Sequence, residues 1–228
     1  MSGTRAAPAL VLETRPSFLV AHLGAMHEVL SWAIVGGGRR QASVVAWHGV
    51  RNAELPPEVD PVALLEARIR DAGLDGAVAM MTSRDLAAYH RHDAERDGVR
   101  ATAVVTAGLS NGMCVGDPAG PHEVAGTINV LCRVSVPLTE LALFEALSLV
   151  VEARTAAVLE ADVPSFRTAA RATGTGTDCV TLAAPVATHE AEAMAYAGKH
   201  TVLGEVIGRA TLGAMREAVA RWKSEIGR

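Results

Sequence analysis

Aromatic side chains make up only 4% of this 228-residue sequence. Its core must therefore be filled by Val, Leu, Ala and Ile, which a 50% hydrophobic composition supplies, and that palette belongs to a mixed α/β protein. Cysteine is scarce too: Cys114, Cys132 and Cys179 are odd in number and never closer than 18 residues. This excludes a disulfide framework and a CxxC metal site, and it fits a reducing compartment. No block of Lys and Arg forms a stripe and the formal net charge is -4, which excludes a nucleic-acid backbone as partner. No apolar run reaches the roughly 18 residues of a membrane span. The opening stretch MSGTRAAPALVLETRP has no apolar core of signal-peptide length ahead of Glu13 and Arg15, so a cytoplasmic protein without a membrane partner is expected. Scattered histidines leave no tight metal site, and no cofactor is expected.

What is present reads as a single domain over residues 1–228, a length sufficient for one sizeable core. Strand-like segments at Ser17 to His22, Val29 to Val35 and Ala42 to Trp47 surround a Gly36-Gly37-Gly38 turn. Asp60 is placed to cap a helix from Pro61 to Ala72. A strand at Ala77 to Thr82, a helix capped by Ser83 and running through Arg96, and a strand at Ala101 to Ala107 come next. The second half predicts a strand from Gly126 to Val136 and a helix capped by Thr139, whose stripe is Leu143, Leu147, Val150, Val151, Arg154 and Val158. A strand from Cys179 to Ala184 and a helix beginning at Thr201 complete the chain. The fold class expected is α/β (α+β), a single-domain layered sandwich with a mixed sheet and flanking helices.

Three polar, glycine-bearing stretches flank these elements: GLSNGMCVGDP at 108 to 118, TGTGTDC at 173 to 179 and YAGKHTVLGE at 196 to 205. Loops at strand ends are where sites usually lie. The threonine-rich stretch lacks the lysine of a P-loop and opens no helix, so a turn with hydroxyl and carboxylate groups fits it better than a phosphate nest. Asp178 either bonds nearby turn amides or takes part in chemistry. Only Lys199 and Lys223 among 21 basic residues are lysine, which sets Lys199 apart beside His200. His200 precedes a helix N-terminus, whose dipole favours the neutral, basic imidazole, and Glu205 sits in the first turn of the same helix. Asparagine occurs only at 52, 111 and 129. Asn111, after Ser110, is either a turn residue or a donor to a developing oxyanion, while Asn129 within a strand needs partners for its amide. His90 and His92, two apart in a predicted helix, would not share a face as a metal pair.

GLSNGMCVGDP, GTINVL at 126 to 131, Glu152-Ala153-Arg154-Thr155-Ala156-Ala157, ATGTGTDCV at 172 to 180 and YAGKHTVLGEVIGRA at 196 to 210 together resemble the adenosylcobinamide amidohydrolase family of corrinoid salvage enzymes. The likeness covers roughly residues 100 to 220. In the first half, Gly36-Gly37-Gly38 stands where the family has an Asn-Gly-Gly element, and Trp47-His48 where it has Asn before His. The resemblance implies hydrolysis of the amide joining the aminopropanol arm to the corrin ring, with cobalt carried by the small-molecule corrinoid substrate.

Amide hydrolysis needs an activated nucleophile, oxyanion stabilisation and a proton for the leaving amine. The scheme expected from the sequence pairs His200 with Asp178 to activate water, with Asn111, Asn129 or Lys199 at the oxyanion. Its covalent variant uses Thr175 or Thr177. Ser110, Asp117 and Glu205 complete the substrate-binding set. The alternatives are a corrinoid-binding module without chemistry and an amidohydrolase acting on a related corrinoid amide. A homodimer is the default assembly of a small α/β enzyme.

Overall fold

The structure is a computed structural model that describes residues 9–120 and 125–227. Eight strands form one mixed sheet: β1 (Val11–Arg15), β2 (Phe18–Ser31), β3 (Gly38–Gly49), β4 (Val78–Thr82), β5 (His90–Arg96), β6 (Val99–Ala107), β8 (Ile128–Val134) and β10 (Cys179–Pro185). The short β7 (Gly112–Met113) and β9 (Gly174–Thr175) pair separately. The sheet order is β4-β3-β2-β10-β8-β6-β5, with β1 on β2. β10 is parallel to β8 and β3 to β4; the remaining pairs are antiparallel.

Helix α1 (Pro61–Asp71) starts where expected, with the Asp60 carboxylate accepting from the Val62 amide. Its Leu65 and Ile69 pack on Phe18, Val20, Ala46 and Ala79. Helices α2 (Glu140–Glu160) and α3 (Val202–Glu225) are capped by the Thr139 and Thr201 hydroxyls and cover the β6-β8-β10 half of the sheet. Among the described residues no helix is long and apolar enough to cross a membrane.

The sheet is rolled. Three strands separate β4 from β8, which in a flat sheet would hold them about 19 Å apart. Yet the Asn129 Nδ2 of β8 donates to the Met81 carbonyl of β4 at 2.7 Å. The enclosed layer is lined by Leu19, Leu23, Val45, Trp47 and Met80 from one half and Val104, Leu131 and Ala183 from the other.

Two expectations are corrected. The segments around Ser17 and Val29 form one strand, β2, with its register broken between His22 and His27. The helix expected from Ser83 through Arg96 is instead a single turn at Leu86–Ala88, capped by Asp85, followed by strand β5. Asp97 and Gly98 adopt positive φ and close a two-residue hairpin from β5 to β6, which the Asp-Gly dipeptide favours. His90 and His92 therefore do share a face, and both approach Glu217 of α3. Among the described residues no three His, Cys, Asp or Glu side chains gather as a metal site.

Candidate active site

Where β6 ends at Ala107, β8 begins at Ile128 and β10 at Cys179, the glycine-bearing loops meet. The β7–β9 pairing joins the 108 to 118 loop to the threonine-rich turn, with Gly112 opposite Thr175. Two reciprocal bonds tie that turn to the start of β8: Thr127 Oγ1 donates to the Thr177 carbonyl at 2.8 Å, and Thr177 Oγ1 to the Gly126 carbonyl at 2.9 Å. The convergence walls a cleft of about 500 Å³. Asn111, Asn129, Thr177 and Asp178 line it together with Trp32, Ile34, Met80 and Met81.

Asp178 is the hub of this convergence. Its Oδ1 accepts from the Ile128 amide at 3.1 Å and from the Thr175 hydroxyl, and its Oδ2 accepts from the Thr175 amide at 3.0 Å and Arg154 Nη1 at 2.5 Å. Burial pushes the carboxyl above its ordinary value, against the pull of the Arg154 guanidinium and these donors. Arg154 also donates to the Thr173 carbonyl at 3.0 Å. Gly174 is required here, because a Cβ at that position would collide with both the guanidinium and the carboxylate. Within the threonine-glycine turn, the amide and hydroxyl of Thr175 thus grip a carboxylate of the same turn.

Asn111 is 3% exposed, and its Oδ1, which borders the cleft, has no hydrogen-bond partner among the described residues. Gly126 leaves room for it, since a Cβ there would strike the Asn111 carboxamide. Asn129 is occupied in holding β8 to β4, with its Oδ1 near the Thr127 hydroxyl at 3.5 Å. Cys179 also lines the cleft, but burial pushes its thiol up to about 12, which removes it as a nucleophile.

The remaining predicted residues lie elsewhere. Thr175 bonds Asp178 without lining the cleft, and Ser110 is exposed. Asp117 organises its loop by accepting from the Cys114 amide at 2.7 Å and the hydroxyls of Ser165 at 2.5 Å and Thr168 at 2.7 Å. Lys199 pairs with Glu152 in the second half of α2, and Glu205 pairs with Arg96 at the end of the sheet where α3 starts. Arg96 precedes β6, while Asp178 lies beside the other end of that strand, so roughly 25 Å of strand separates the two levels. His200 is exposed at the α3 N-terminus and makes no hydrogen bond with Asp178. The expected imidazole–carboxylate pairing is not formed, because the parallel β8-α2-β10-α3 winding sends the start of α3 to the opposite end of the sheet from the start of β10.

Arg154, a member of the α2 stripe, is the site residue that local patterns assign no role. Its signal was a cation on a face otherwise made of Leu and Val, which has to find a buried partner.

The fold and site define a mixed-sheet α/β protein with a cleft built from loops at strand ends, the usual location for small-molecule chemistry. The chain belongs to the adenosylcobinamide amidohydrolase (CbiZ) family, which residues 5–227 match. It is also 28% identical over 132 residues to the uncharacterised protein MJ1613 of Methanocaldococcus jannaschii, a match covering 58% of this chain and 50% of that one. This chain thus spans about half the length of that relative. Among solved structures, the PH0078 protein from Pyrococcus horikoshii OT3 is similar with a TM-score of 0.44 and 12% identity, over 91% of this chain and 77% of that one.

Proposed function

We propose that this chain hydrolyses the amide between the aminopropanol arm and the corrin ring of adenosylcobinamide, releasing aminopropanol and adenosylcobyric acid in the cleft at Asp178. The observation that carries this reading is the convergence of three separated family stretches, around Asn111, Gly126 to Asn129 and Gly176 to Asp178, on one cleft. An unpartnered buried amide oxygen at Asn111 supports it, since such an acceptor calls for a donor from the ligand and the scissile amide brings an N–H.

Among the described lining residues, only Asp178 and Cys179 titrate, and the thiol is held protonated. Asp178 is therefore the base of the proposed reaction. Its raised pKa makes it a stronger acceptor than an ordinary carboxylate, and rotation of the Thr175 hydroxyl away from Oδ1 frees a lone pair for water. Water adds to the amide carbon while Asp178 takes its proton. The same proton then passes to the departing nitrogen as the C–N bond breaks, so no net proton is consumed by the enzyme. Asn111 orients the amide. Thr177 faces the cleft and donates to the Gly126 carbonyl, so the covalent variant through its hydroxyl lacks an adjacent base. His200, Lys199 and Glu205 have no part in this scheme.

The test is incubation with adenosylcobinamide followed by chromatography for aminopropanol and the corrinoid acid. Stoichiometric appearance of both is expected. Tight binding without product would leave a corrinoid-binding module in place of the enzyme.

A further inference from the structure

The cleft is also lined by a segment with no role in the scheme above, the tip between β2 and β3 that holds Trp32, Ile34 and the triple-glycine turn. This tip is fastened on two sides. Toward β10, Ser31 Oγ donates to the Val180 carbonyl at 3.0 Å and lies 2.8 Å from Thr181 Oγ1, while accepting from the Ala33 amide at 3.0 Å. Toward β4, Val35 and Ala79 form an isolated bridge, with the Ala79 amide donating to the Val35 carbonyl at 2.9 Å. Finally, Trp32 Nε1 donates to the main-chain carbonyl of Asp178 at 2.6 Å.

The indole thus has its polar atom fixed to the residue at the centre of the site, yet Trp32 remains 45% exposed, and Ile34 on the same segment is 46% exposed. Exposed large apolar side chains are ordinary when scattered. Here the two belong to one rigid tip at the mouth of one cleft, so their cost of ordering is met before any ligand arrives. A cleft of about 500 Å³ can admit an amide-bearing arm, but not a whole tetrapyrrole macrocycle with its side chains. The ring must rest outside, against whatever flat surface the mouth offers.

We infer that the exposed face of Trp32, with Ile34 on the same segment, is the apolar platform against which the rim of the corrin ring rests while its arm enters toward Asn111 and Asp178. The inference rests on the reading of the cleft as a corrinoid-amide site. The rim of a corrin carries saturated, apolar carbon that an indole face can cover with a large contact area. Trp32 is then a specificity-determining residue whose ring sets affinity, and the bond to Asp178 aims it.

Two variants separate the ring from its N–H. Trp32→Phe keeps an aromatic face and loses the donor; Trp32→Ala loses both. Equilibrium dialysis would give Kd for adenosylcobinamide and for a cobinamide without the adenosyl group, alongside kcat and KM for aminopropanol release. The expected result is a Kd at least about tenfold weaker in Trp32→Ala for both corrinoids, with KM raised in parallel and kcat little changed. Trp32→Phe should stay within about threefold of the parent. An unchanged Kd in Trp32→Ala overturns the inference. A Trp32→Phe as weak as Trp32→Ala also overturns it, since the bond to Asp178 and not the ring would then matter. Weakening confined to the adenosylated ligand assigns the face to adenine and overturns the corrin assignment. A parent protein that binds neither corrinoid takes down the reading of the cleft itself, a result distinguishable from all of these.

Discussion

At the end of the sheet where β8 and β10 begin, Asp178, Arg154 and Asn111 are enclosed, and the two charged groups are joined across loops and a helix. At the end where α3 begins, Lys199 and His200 face solvent, and Lys199 and Glu205 are matched with exposed or half-exposed partners. Both ends announce themselves in the sequence by glycines and polar residues beside a helix or strand. They differ in what it costs to keep them. An exposed ion pair is worth at most about 1 kcal/mol and constrains little. A buried charge has to be paired and hydrogen-bonded or the fold suffers, and such an arrangement is kept where chemistry uses it.

The largest break in this contrast comes from Asp178→Asn. The substitution turns an –NH2 toward existing donors and strands the Arg154 guanidinium, so a loss of about 3–5 kcal/mol in stability is expected, read as a lower denaturant midpoint. Gly174→Ala attacks the same pair without changing a charge: a methyl must displace the guanidinium or the carboxylate, costing roughly 2–4 kcal/mol by the same measurement.

The far end has a buried polar pair of its own, His27 with Arg133, whose pH response extends the comparison. His27 is fully buried; its Nδ1 donates to the Ala25 carbonyl at 2.9 Å and its Nε2 accepts from Arg133 Nε at 3.1 Å. Burial, and secondarily the nearby guanidinium, depress its pKa from the ordinary 6.5 to about 4. The unfolded chain therefore takes up the proton first. The neutral ring contributes fully above pH 6.5, and its contribution is lost as pH falls from there to about 4. The loss should be roughly 1–3 kcal/mol, seen as urea midpoints that drop over that window in the parent and drop less in His27→Asn. The smallest effect belongs to His200→Ala, whose stability should lie within about 0.5 kcal/mol of the parent because an exposed, unbonded ring is removed.

The sequence made local features legible and left pairings between distant elements hidden. Asp60, Thr139 and Thr201 cap helices as read, because a cap depends on neighbours two or three residues away. Strand β5 was legible in principle, through Asp97-Gly98, but the weaker appeal of Ser83 as a cap concealed it. Asp178, Asn111 and Asn129 stood out by residue type against their surroundings. What no local pattern could supply was the winding order that carries His200 away from Asp178, or the link from Trp32 to a carbonyl 146 residues later.

The most direct test compares two single substitutions in one assay, aminopropanol release from adenosylcobinamide by Asn111→Ala and by His200→Ala. With the chemistry at the Asp178 end, Asn111→Ala should misplace the amide and lose about 10²-fold in turnover, while His200→Ala stays within about threefold of the parent. A crippled His200→Ala beside a nearly intact Asn111→Ala would put the reaction at the other end of the molecule and contradict the account.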